Sequence, residues 1–215
     1  MFKNVIITSG PTIEPIDPVR FISNRSSGKM GRALAEVGKK KGIENIYFIS
    51  GPVCEYPQDV LLIKIETAIE LQNEVLKHFD KADVIIMAAA VSDYRSEKYY
   101  TDKMKKSNEV IDFRLVKNPD ILKELGEKKK EGQIIVGFAV ETEDVLDNAV
   151  KKFKEKNLDL LVLNELSDKN PVFGSDYNQV FLINKRGIKN VKKSLKRDIA
   201  EIIWKEIEDI KNNNV

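Results

Sequence analysis

The chain has very few of the residues from which metal and redox sites are built. Its 215 residues include a single cysteine, Cys54, and a single histidine, His78. One cysteine excludes an intramolecular disulfide and a cysteine-rich zinc site, and one histidine excludes a multi-histidine metal site. We assign no role to Cys54, and we expect His78 to be structural or solvent-exposed rather than catalytic.

Long apolar runs and a large charge excess are also missing. No stretch reaches the roughly 18 apolar residues of a membrane-spanning helix, and the first residues enter a strand-like pattern without the features of a signal peptide. We therefore expect a cytoplasmic protein that does not bind membranes. The 36 Lys and Arg residues nearly balance the 34 Asp and Glu residues, which argues against a dedicated nucleic-acid-binding protein.

What the chain does contain is enough apolar sequence, at 42% of residues, for one sizeable core. Its length predicts a single domain over residues 1–215. Apolar runs predict strands over 5–8, 46–49, 60–65, 83–90, 110–115, 134–140, 158–163 and 180–183. Helical spacing predicts helices over 29–41, 68–79 and 144–156, and two more that begin near 118 and 194. Alternating strands and helices predict an α/β fold with a mainly parallel sheet covered on both faces.

Helix boundaries are indicated by capping residues. Gly42 follows the first helix, as a C-terminal cap does. Asn118 and Pro119 predict a helix that Asn118 caps and Pro119 begins. Ser194 is predicted to cap the last helix. Residues 91–110 are polar and lack periodicity, so they form either a mobile active-site loop or a long surface loop.

Small residues mark a candidate ligand site at the strand ends. In an open α/β sheet, ligands bind beyond the carboxyl ends of the strands where the strand order reverses. If the first strand is central, its neighbour across that point is the strand at 84–88, which leads into Ala88, Ala89 and Asp93. Small side chains there let a ligand approach the backbone, although they also suit plain helix–sheet packing.

The segment from Ser23 to Gly31 leads into the first helix with hydroxyl groups and backbone amides that suit an anion. It is not a P-loop, because that motif needs Gly at position 23 and Ser or Thr at position 30, where this chain has Ser23 and Met30. It is not a Rossmann glycine fingerprint either. An ordinary capped helix is the alternative interpretation. Lys103, Lys105 and Lys106 form a basic cluster that either neutralises a triphosphate or is solvated surface.

Taken together, these motifs resemble those of bacterial phosphopantothenoylcysteine synthetase, also called phosphopantothenate–cysteine ligase. The resemblance begins with an 18-residue block at 14–31 and extends over nearly the whole chain. The further matching segments are 88–94, 103–106, 117–122, 136–142, 156–159 and 173–176, in the family's order. Val140 stands where the family usually has alanine, which is a conservative difference.

The resemblance implies a Rossmann-like three-layer fold with a dimerisation arm or flap, and a two-step ligation in coenzyme A biosynthesis. The carboxylate of 4′-phosphopantothenate would attack the α-phosphate of CTP, giving an acyl-cytidylate and pyrophosphate. The amine of L-cysteine would then displace CMP. The resemblance also implies Mg²⁺ on the triphosphate, a homodimer whose sites are completed across the interface, and phosphopantothenoylcysteine decarboxylase as functional partner.

Individual roles carry over from matching positions. Asn24 would stabilise the acyl-cytidylate, Arg20 would hold the phosphopantothenate end of the site, and Lys103 would stabilise charge on the triphosphate. The remaining nucleotide-binding residues implied by the resemblance are Ala88, Ala89, Asp93, Pro119, Asp120, Ile121, Leu122, Phe138, Lys152 and Lys156.

Three other classes of protein fit the sequence less well. A non-catalytic nucleotide-binding subunit would need damage at Asn24 or Lys103, and both are intact. A nicotinamide-dependent oxidoreductase would need the missing glycine fingerprint, and a structural interaction domain leaves the 14–31 block without a purpose. ATP in place of CTP stays open, as does whether the chain is one half of a fusion with the decarboxylase.

Overall fold

The computed structural model describes residues 2–105, 110–141, 144–165 and 174–213. Within them lie five helices: α1 (Lys29–Lys40), α2 (Ala68–Phe79), α3 (Ile121–Lys128), α4 (Val145–Glu155) and α5 (Lys196–Asn213). The twelve strands of the same residues are β1 (Asn4–Ser9), β2 (Ile13–Pro15), β3 (Phe21–Ser23), β4 (Asn45–Ser50), β5 (Leu61–Lys64), β6 (Val84–Met87), β7 (Tyr94–Ser96), β8 (Leu115–Lys117), β9 (Ile134–Glu141), β10 (Leu160–Glu165), β11 (Tyr177–Asn184) and β12 (Gly187–Leu195).

Eight strands form one sheet in the order β12-β11-β10-β9-β6-β1-β4-β5. The six strands from β10 to β5 are parallel, and β11 and β12 extend the sheet antiparallel at one edge. The chain runs outward from β1 to β5 and then returns to β6, so the strand order reverses between β1 and β6, as in doubly wound folds. The α/β prediction with a central first strand is confirmed.

Strand side chains alternate between two apolar layers. From β1, Val5 and Ile7 face the layer under α1 and α5, whereas Ile6 faces the layer under α2, α3 and α4. Strands buried on both faces read as unbroken apolar runs, which explains why the central strands are recognisable in the sequence. Trp204 is fully buried on α5, and its indole N–H donates to the carbonyl of Leu34 at 2.8 Å.

Two predicted helix starts are wrong by a few residues. Asp120 rather than Asn118 caps α3, and its carboxylate accepts a hydrogen bond from the backbone N–H of Lys123 at 3.1 Å. The Asn118 amide instead donates to the carbonyl of Ser92 at 2.8 Å. Ser194 does not cap α5, because it lies in β12, which continues to Leu195 through pairing with β11.

The predicted strand over 110–115 is also wrong, because only Leu115 belongs to a strand. Residues 110–114 belong to no strand, and Val110, Ile111 and Phe113 are exposed. Leu115–Lys117 pairs with Tyr94–Ser96 in a separate two-stranded sheet, which places part of the 91–110 segment in regular structure. A second small sheet, β2 with β3, was not predicted. No helix in the described part of the chain is long and apolar enough to cross a membrane.

Candidate functional site

A cleft of about 880 Å³ opens at the point where the strand order reverses. At its floor the chain beyond β1 meets the chain beyond β6, since Thr12 N–H donates to the Ala90 carbonyl at 3.2 Å and Ala90 N–H to the Gly10 carbonyl at 2.8 Å. The walls come from the start of α1, the turn after β6, the start of α3, the end of β9 and the side chains of α4. The sheet topology therefore places the cleft where ligands of doubly wound folds bind.

The start of α1 is open toward this cleft. Gly28, at the N-cap, has φ 71°, a left-handed conformation that glycine adopts without strain. No side chain caps the helix and its first turn carries no acidic residue, so its first backbone N–H groups have no intrahelical partner and favour an anion. Gly31 allows α1 to pack against β1, because a Cβ at this position would lie 2.4 Å from the Oγ of Ser9.

All but two of the residues predicted for the site line this one cleft. Asn24 is exposed, and its side-chain amide donates to the carbonyl of Val91 at 2.8 Å, which joins the segment before α1 to the turn after β6. The other predicted residues that line the cleft are Ala88, Ala89, Asp93, Pro119, Asp120, Ile121, Leu122, Phe138, Lys152 and Lys156.

The two α4-side lysines of the cleft each have a carboxylate partner. Lys156 Nζ lies 3.0 Å from Asp120 Oδ1, and Lys152 Nζ pairs with Glu141. Both lysines are therefore held at the cleft wall by acidic groups from neighbouring elements. An anionic ligand would compete with these carboxylates for the lysine charges.

Arg20 and Lys103 are the two predicted residues that lie outside the cleft lining of this chain. The Arg20 guanidinium donates to the Asp17 carboxylate at 2.8 Å and to the carbonyl of Met104 at 3.4 Å, and Lys103 is exposed next to it. Burial opposes ionisation of Asp17, but backbone hydrogen bonds from Val19, Arg20 and Met104 and the Arg20 charge hold the pKa of Asp17 below its usual range. The structure thus brings these two predicted residues together, away from the others.

The cleft also contains residues that the sequence motifs did not identify. Asn164 and Asn178 are buried in its wall, where the Asn178 amide donates to Asn164 Oδ1 at 2.6 Å. Lys196 is buried there as well, and burial, together with the nearby Lys29 charge, lowers the pKa of Lys196. The sequence could have identified Asn164, because it is a polar residue directly after the predicted apolar strand at 158–163. It gave no such indication for Lys196, which the predicted capping of the last helix by Ser194 made an ordinary residue of the first helical turn.

Residues 2–210 match the family model for the DNA/pantothenate metabolism flavoprotein C-terminal domain. The chain belongs to this family. The coenzyme A biosynthesis bifunctional protein CoaBC of Borreliella burgdorferi is 41% identical over 206 residues, 94% of this chain and 52% of that protein. The protein of the same name from Bacillus subtilis is 46% identical over 189 residues, 87% of this chain and 46% of that protein. The chain therefore spans about half the length of these flavoprotein-family relatives.

A solved structure extends the family assignment to three dimensions. The crystal structure of the C-terminal domain of a CoaBC protein has a TM-score of 0.83 and 37% identity, and the match covers 98% of this chain and 96% of that one. The Rossmann-like fold expected from the motifs is thereby confirmed. Three motif positions, Lys106, Thr142 and Phe173, lie outside the described residues.

Proposed function

We propose that this chain is a phosphopantothenate–cysteine ligase that uses CTP. The observation that carries the proposal is the convergence, in one cleft at the strand-order reversal, of residues drawn from five separate sequence motifs. Family membership supports it, because the relatives from Borreliella burgdorferi and Bacillus subtilis are named for coenzyme A biosynthesis. The activity proposed here concerns the half of those proteins that the chain matches.

The first step activates a carboxylate. A carboxylate oxygen of 4′-phosphopantothenate attacks the α-phosphorus of CTP, a P–O bond to pyrophosphate breaks, and an acyl-cytidylate forms. Direct attack of an amine on a carboxylate would have to expel oxide, which is a very poor leaving group, whereas an acyl-cytidylate expels a nucleotide phosphate, which is a good one. Activation therefore replaces one high barrier by two lower ones. The open N-terminus of α1 suits the phosphate groups, and Lys152 and Lys156 are cations of the same cleft.

The second step forms the amide. The cysteine ammonium gives up one proton, the neutral amine attacks the acyl carbon, the C–O bond to CMP breaks, and the nitrogen loses a second proton as the amide forms. Asn24 holds the intermediate by its side-chain amide, whose present acceptor is the carbonyl of Val91 beyond β6. An amide at that place spans the two sides of the cleft, which suits a ligand that lies across it.

We propose that Mg²⁺ enters the cleft bound to the triphosphate rather than to a metal site of the protein. Among the residues that the structure describes there is no group of three or more His, Cys, Asp or Glu side chains arranged to hold a metal. Mg²⁺ is usually held by substrate phosphates and one or two carboxylates, and Asp93 and Asp120 are the carboxylates of the cleft wall. Bound there, the ion would offset the negative charge of the triphosphate.

We also propose a homodimer in which the Lys103 loop of one chain serves the cleft of its partner. Lys103 and Arg20 lie together outside the cleft of their own chain. In the same part of the chain, residues 94–100 and 110–115 expose a set of large apolar side chains, which are Tyr94, Tyr99, Tyr100, Val110, Ile111, Phe113 and Leu115. Exposed apolar patches of this kind mark interaction surfaces. The proposed enzyme that consumes the product is phosphopantothenoylcysteine decarboxylase.

Pyrophosphate release tests the ligase and its nucleotide together. CTP and, separately, ATP would be incubated with 4′-phosphopantothenate and Mg²⁺, with and without L-cysteine. Sustained release that needs both 4′-phosphopantothenate and cysteine, faster with CTP, is the expected result. Faster release with ATP would overturn the nucleotide assignment alone. No release with either nucleotide would overturn the ligase and leave a nucleotide-binding subunit, which nucleotide titration would then detect.

A further inference from the structure

We propose that Asp17 is a positioning residue that fastens the Lys103 loop to the hairpin of β2 and β3 and acts on the first half-reaction through Lys103. The inference rests on the proposed function for the role of Lys103. The attachment itself is a property of the fold, so it is testable without any activity.

The Asp17 side chain is fully buried and both of its oxygens accept hydrogen bonds. Oδ1 accepts from the backbone N–H groups of Val19 and Arg20, each at 2.8 Å. Oδ2 accepts from the Arg20 guanidinium at 2.8 Å and from the backbone N–H of Met104 at 3.2 Å. A buried carboxylate with four donors is a strong attachment, because each lost donor leaves a buried charge less well satisfied.

The attachment crosses between two distant parts of the chain. The carbonyl of Met104 accepts from the Arg20 guanidinium at 3.4 Å, and the backbone N–H of Tyr100 donates to the carbonyl of Ile16 at 2.9 Å. Tyr100 and Met104 flank Lys103, which is itself exposed. The loop is therefore held by its backbone on both sides of Lys103, and the lysine side chain remains available to a ligand.

The turn between β2 and β3 does not need Met104 to close. Ile16 N–H and Asp17 N–H both donate to the carbonyl of Arg20, at 2.8 and 3.2 Å, and Asp17 Oδ1 accepts within the same turn. The bond from Met104 adds order to the loop rather than to the turn. We therefore infer that this hydrogen bond serves to position Lys103, the loop residue with a proposed role in the reaction.

Limited trypsin digestion of the full chain tests the attachment directly. We expect Asp17→Asn to speed cleavage after Lys103 and Lys105 by about tenfold, because an amide offers one acceptor where the carboxylate offered two. Asp102→Asn, which alters an exposed carboxylate in the same loop, is the matched control and should cleave as wild type does. Equal cleavage rates in Asp17→Asn and wild type would overturn the attachment.

Half-reaction kinetics test the route through Lys103. Pyrophosphate release without cysteine should fall about tenfold in Asp17→Asn, while the reaction of preformed acyl-cytidylate with cysteine keeps its rate. In a Lys103→Gln background, Asp17→Asn should cause no further loss, since residues that act as a unit are not additive. Equal losses in both half-reactions, or additive losses in the double variant, would overturn the proposal.

A second variant guards against a folding defect in Asp17→Asn. Met104→Pro removes the backbone N–H that the loop donates to Asp17 and leaves the hydrogen bonds inside the β2–β3 turn in place. Its cleavage is followed after Lys105, and we expect the same acceleration and the same selective loss of the first half-reaction. A wild-type cleavage rate in a folded Met104→Pro variant would contradict the proposal. If wild type releases no pyrophosphate, the proposed ligase activity is overturned, but the digestion still shows whether Asp17 holds the loop.

Discussion

Asn24 shows how one side chain joins the two sides of the cleft. Its amide donates at 2.8 Å to the carbonyl of Val91, beyond β6, while its own backbone lies just before α1. A carboxylate at this position has no N–H to donate and would face an acyl phosphate with a like charge. We therefore expect Asn24→Asp to form acyl-cytidylate but to slow its use by cysteine about 100-fold.

Rapid quench with labelled CTP measures the amount of acyl-cytidylate in that variant. Accumulation of the intermediate is the expected outcome, and Asn190→Asp, at an exposed position on the edge strand β12, is the matched control. An Asn24→Asp enzyme with wild-type turnover would remove Asn24 from its role.

Lys103 should fail at the opposite step. Lys103→Gln leaves a polar side chain that is one bond shorter than lysine, and it removes the charge that would stabilise the triphosphate in the first transition state. We expect acyl-cytidylate formation to fall by about 100-fold, with no intermediate to trap. Lys105→Gln, two residues along the same exposed loop, should retain more activity. Trapped intermediate in Lys103→Gln at the wild-type level would refute this role.

His78 gives a residue-scale prediction for stability, outside the cleft. Its ring stacks on Tyr47 with centroids 4.3 Å apart. Burial, followed by the charge of Lys77, lowers the pKa of His78, and Glu74 only partly offsets this. Because the pKa is lower in the folded state, the neutral ring contributes stability above the unfolded-state pKa of about 6.5, and that stability is lost as the pH falls toward the folded-state pKa.

The measurement is simple because the chain has one histidine. Its imidazole proton signals in an NMR titration should give a pKa below that of a free histidine, and Glu74→Gln should lower it further. The melting temperature of His78→Gln should depend less on pH between about 8 and 5 than that of wild type. A titration at or above the free-histidine value would show that the ring is not desolvated in solution.

At the scale of elements, the contact between α1 and β1 shapes the anion-binding end of the cleft. A Cβ on Gly31 would lie 2.4 Å from Ser9 Oγ and 2.6 Å from Ser9 Cβ, so α1 would have to move away from the strand. Gly to Ala inside a helix ordinarily stabilises by about 1 kcal/mol. Here we expect Gly31→Ala to destabilise by about 1–3 kcal/mol and to weaken nucleotide binding.

Gly38, in the same helix, is the matched control for that substitution. A Cβ there would lie 3.1–3.2 Å from Cδ1 of Ile43, Cδ1 of Ile46 and Cζ2 of Trp204, so these neighbours need to move by only a few tenths of an ångström. Gly38→Ala should therefore cost less stability in urea unfolding and leave nucleotide affinity unchanged. Adding Ser9→Gly to Gly31→Ala should recover much of the loss, and a failure to do so would show that the clash is not with Ser9.

A strand can be predicted from the sequence when both of its faces are buried. Strands β1, β6 and β9 are covered on both faces, so their apolar runs identify them from sequence. Strand β12 lies at the sheet edge with Val191 as its buried apolar residue, and its position depends on pairing with β11. The place of the Lys103 loop depends on the hydrogen bond from the backbone N–H of Met104 to the distant residue Asp17. Such long-range contacts leave no local pattern to read.

The cleft residues also divide into those that a local sequence motif identifies and those that only the assembled fold brings together. Residues at the strand-order reversal were found because topology and motif both point there, as for Ala89 and Asp93. Asn164 and Asn178 come from different strands and meet only after the sheet is assembled. Lys103 was predicted for the site by motif, yet its place outside the cleft of its own chain is decided by the attachment to Asp17 and Arg20.

At the scale of the whole molecule, the exposed apolar side chains of residues 94–100 and 110–115 predict self-association. Val110 is 72% exposed and Tyr99 55% exposed, and they lie on the same segment as Ile111 and Phe113. Side chains of this size gain about 1.5–3 kcal/mol each on full burial, so burying a symmetric pair of such surfaces would favour a dimer. The same contact would bring each Lys103 loop toward the cleft of the other chain.

Light scattering during size-exclusion chromatography measures the assembly. Wild type should have twice the mass of the 24.5 kDa chain, and Ile111→Asp combined with Phe113→Asp should have the mass of one chain. Ile188→Asp, which adds a charge at an equally exposed apolar position on β12, should stay dimeric. Because the proposed site needs both chains, the monomeric variant should lose pyrophosphate release, and mixing it with a dimeric Asn24→Asp variant should not restore it. A monomeric wild type with full ligase activity would instead mean that Lys103 reaches the cleft of its own chain by a movement of the loop.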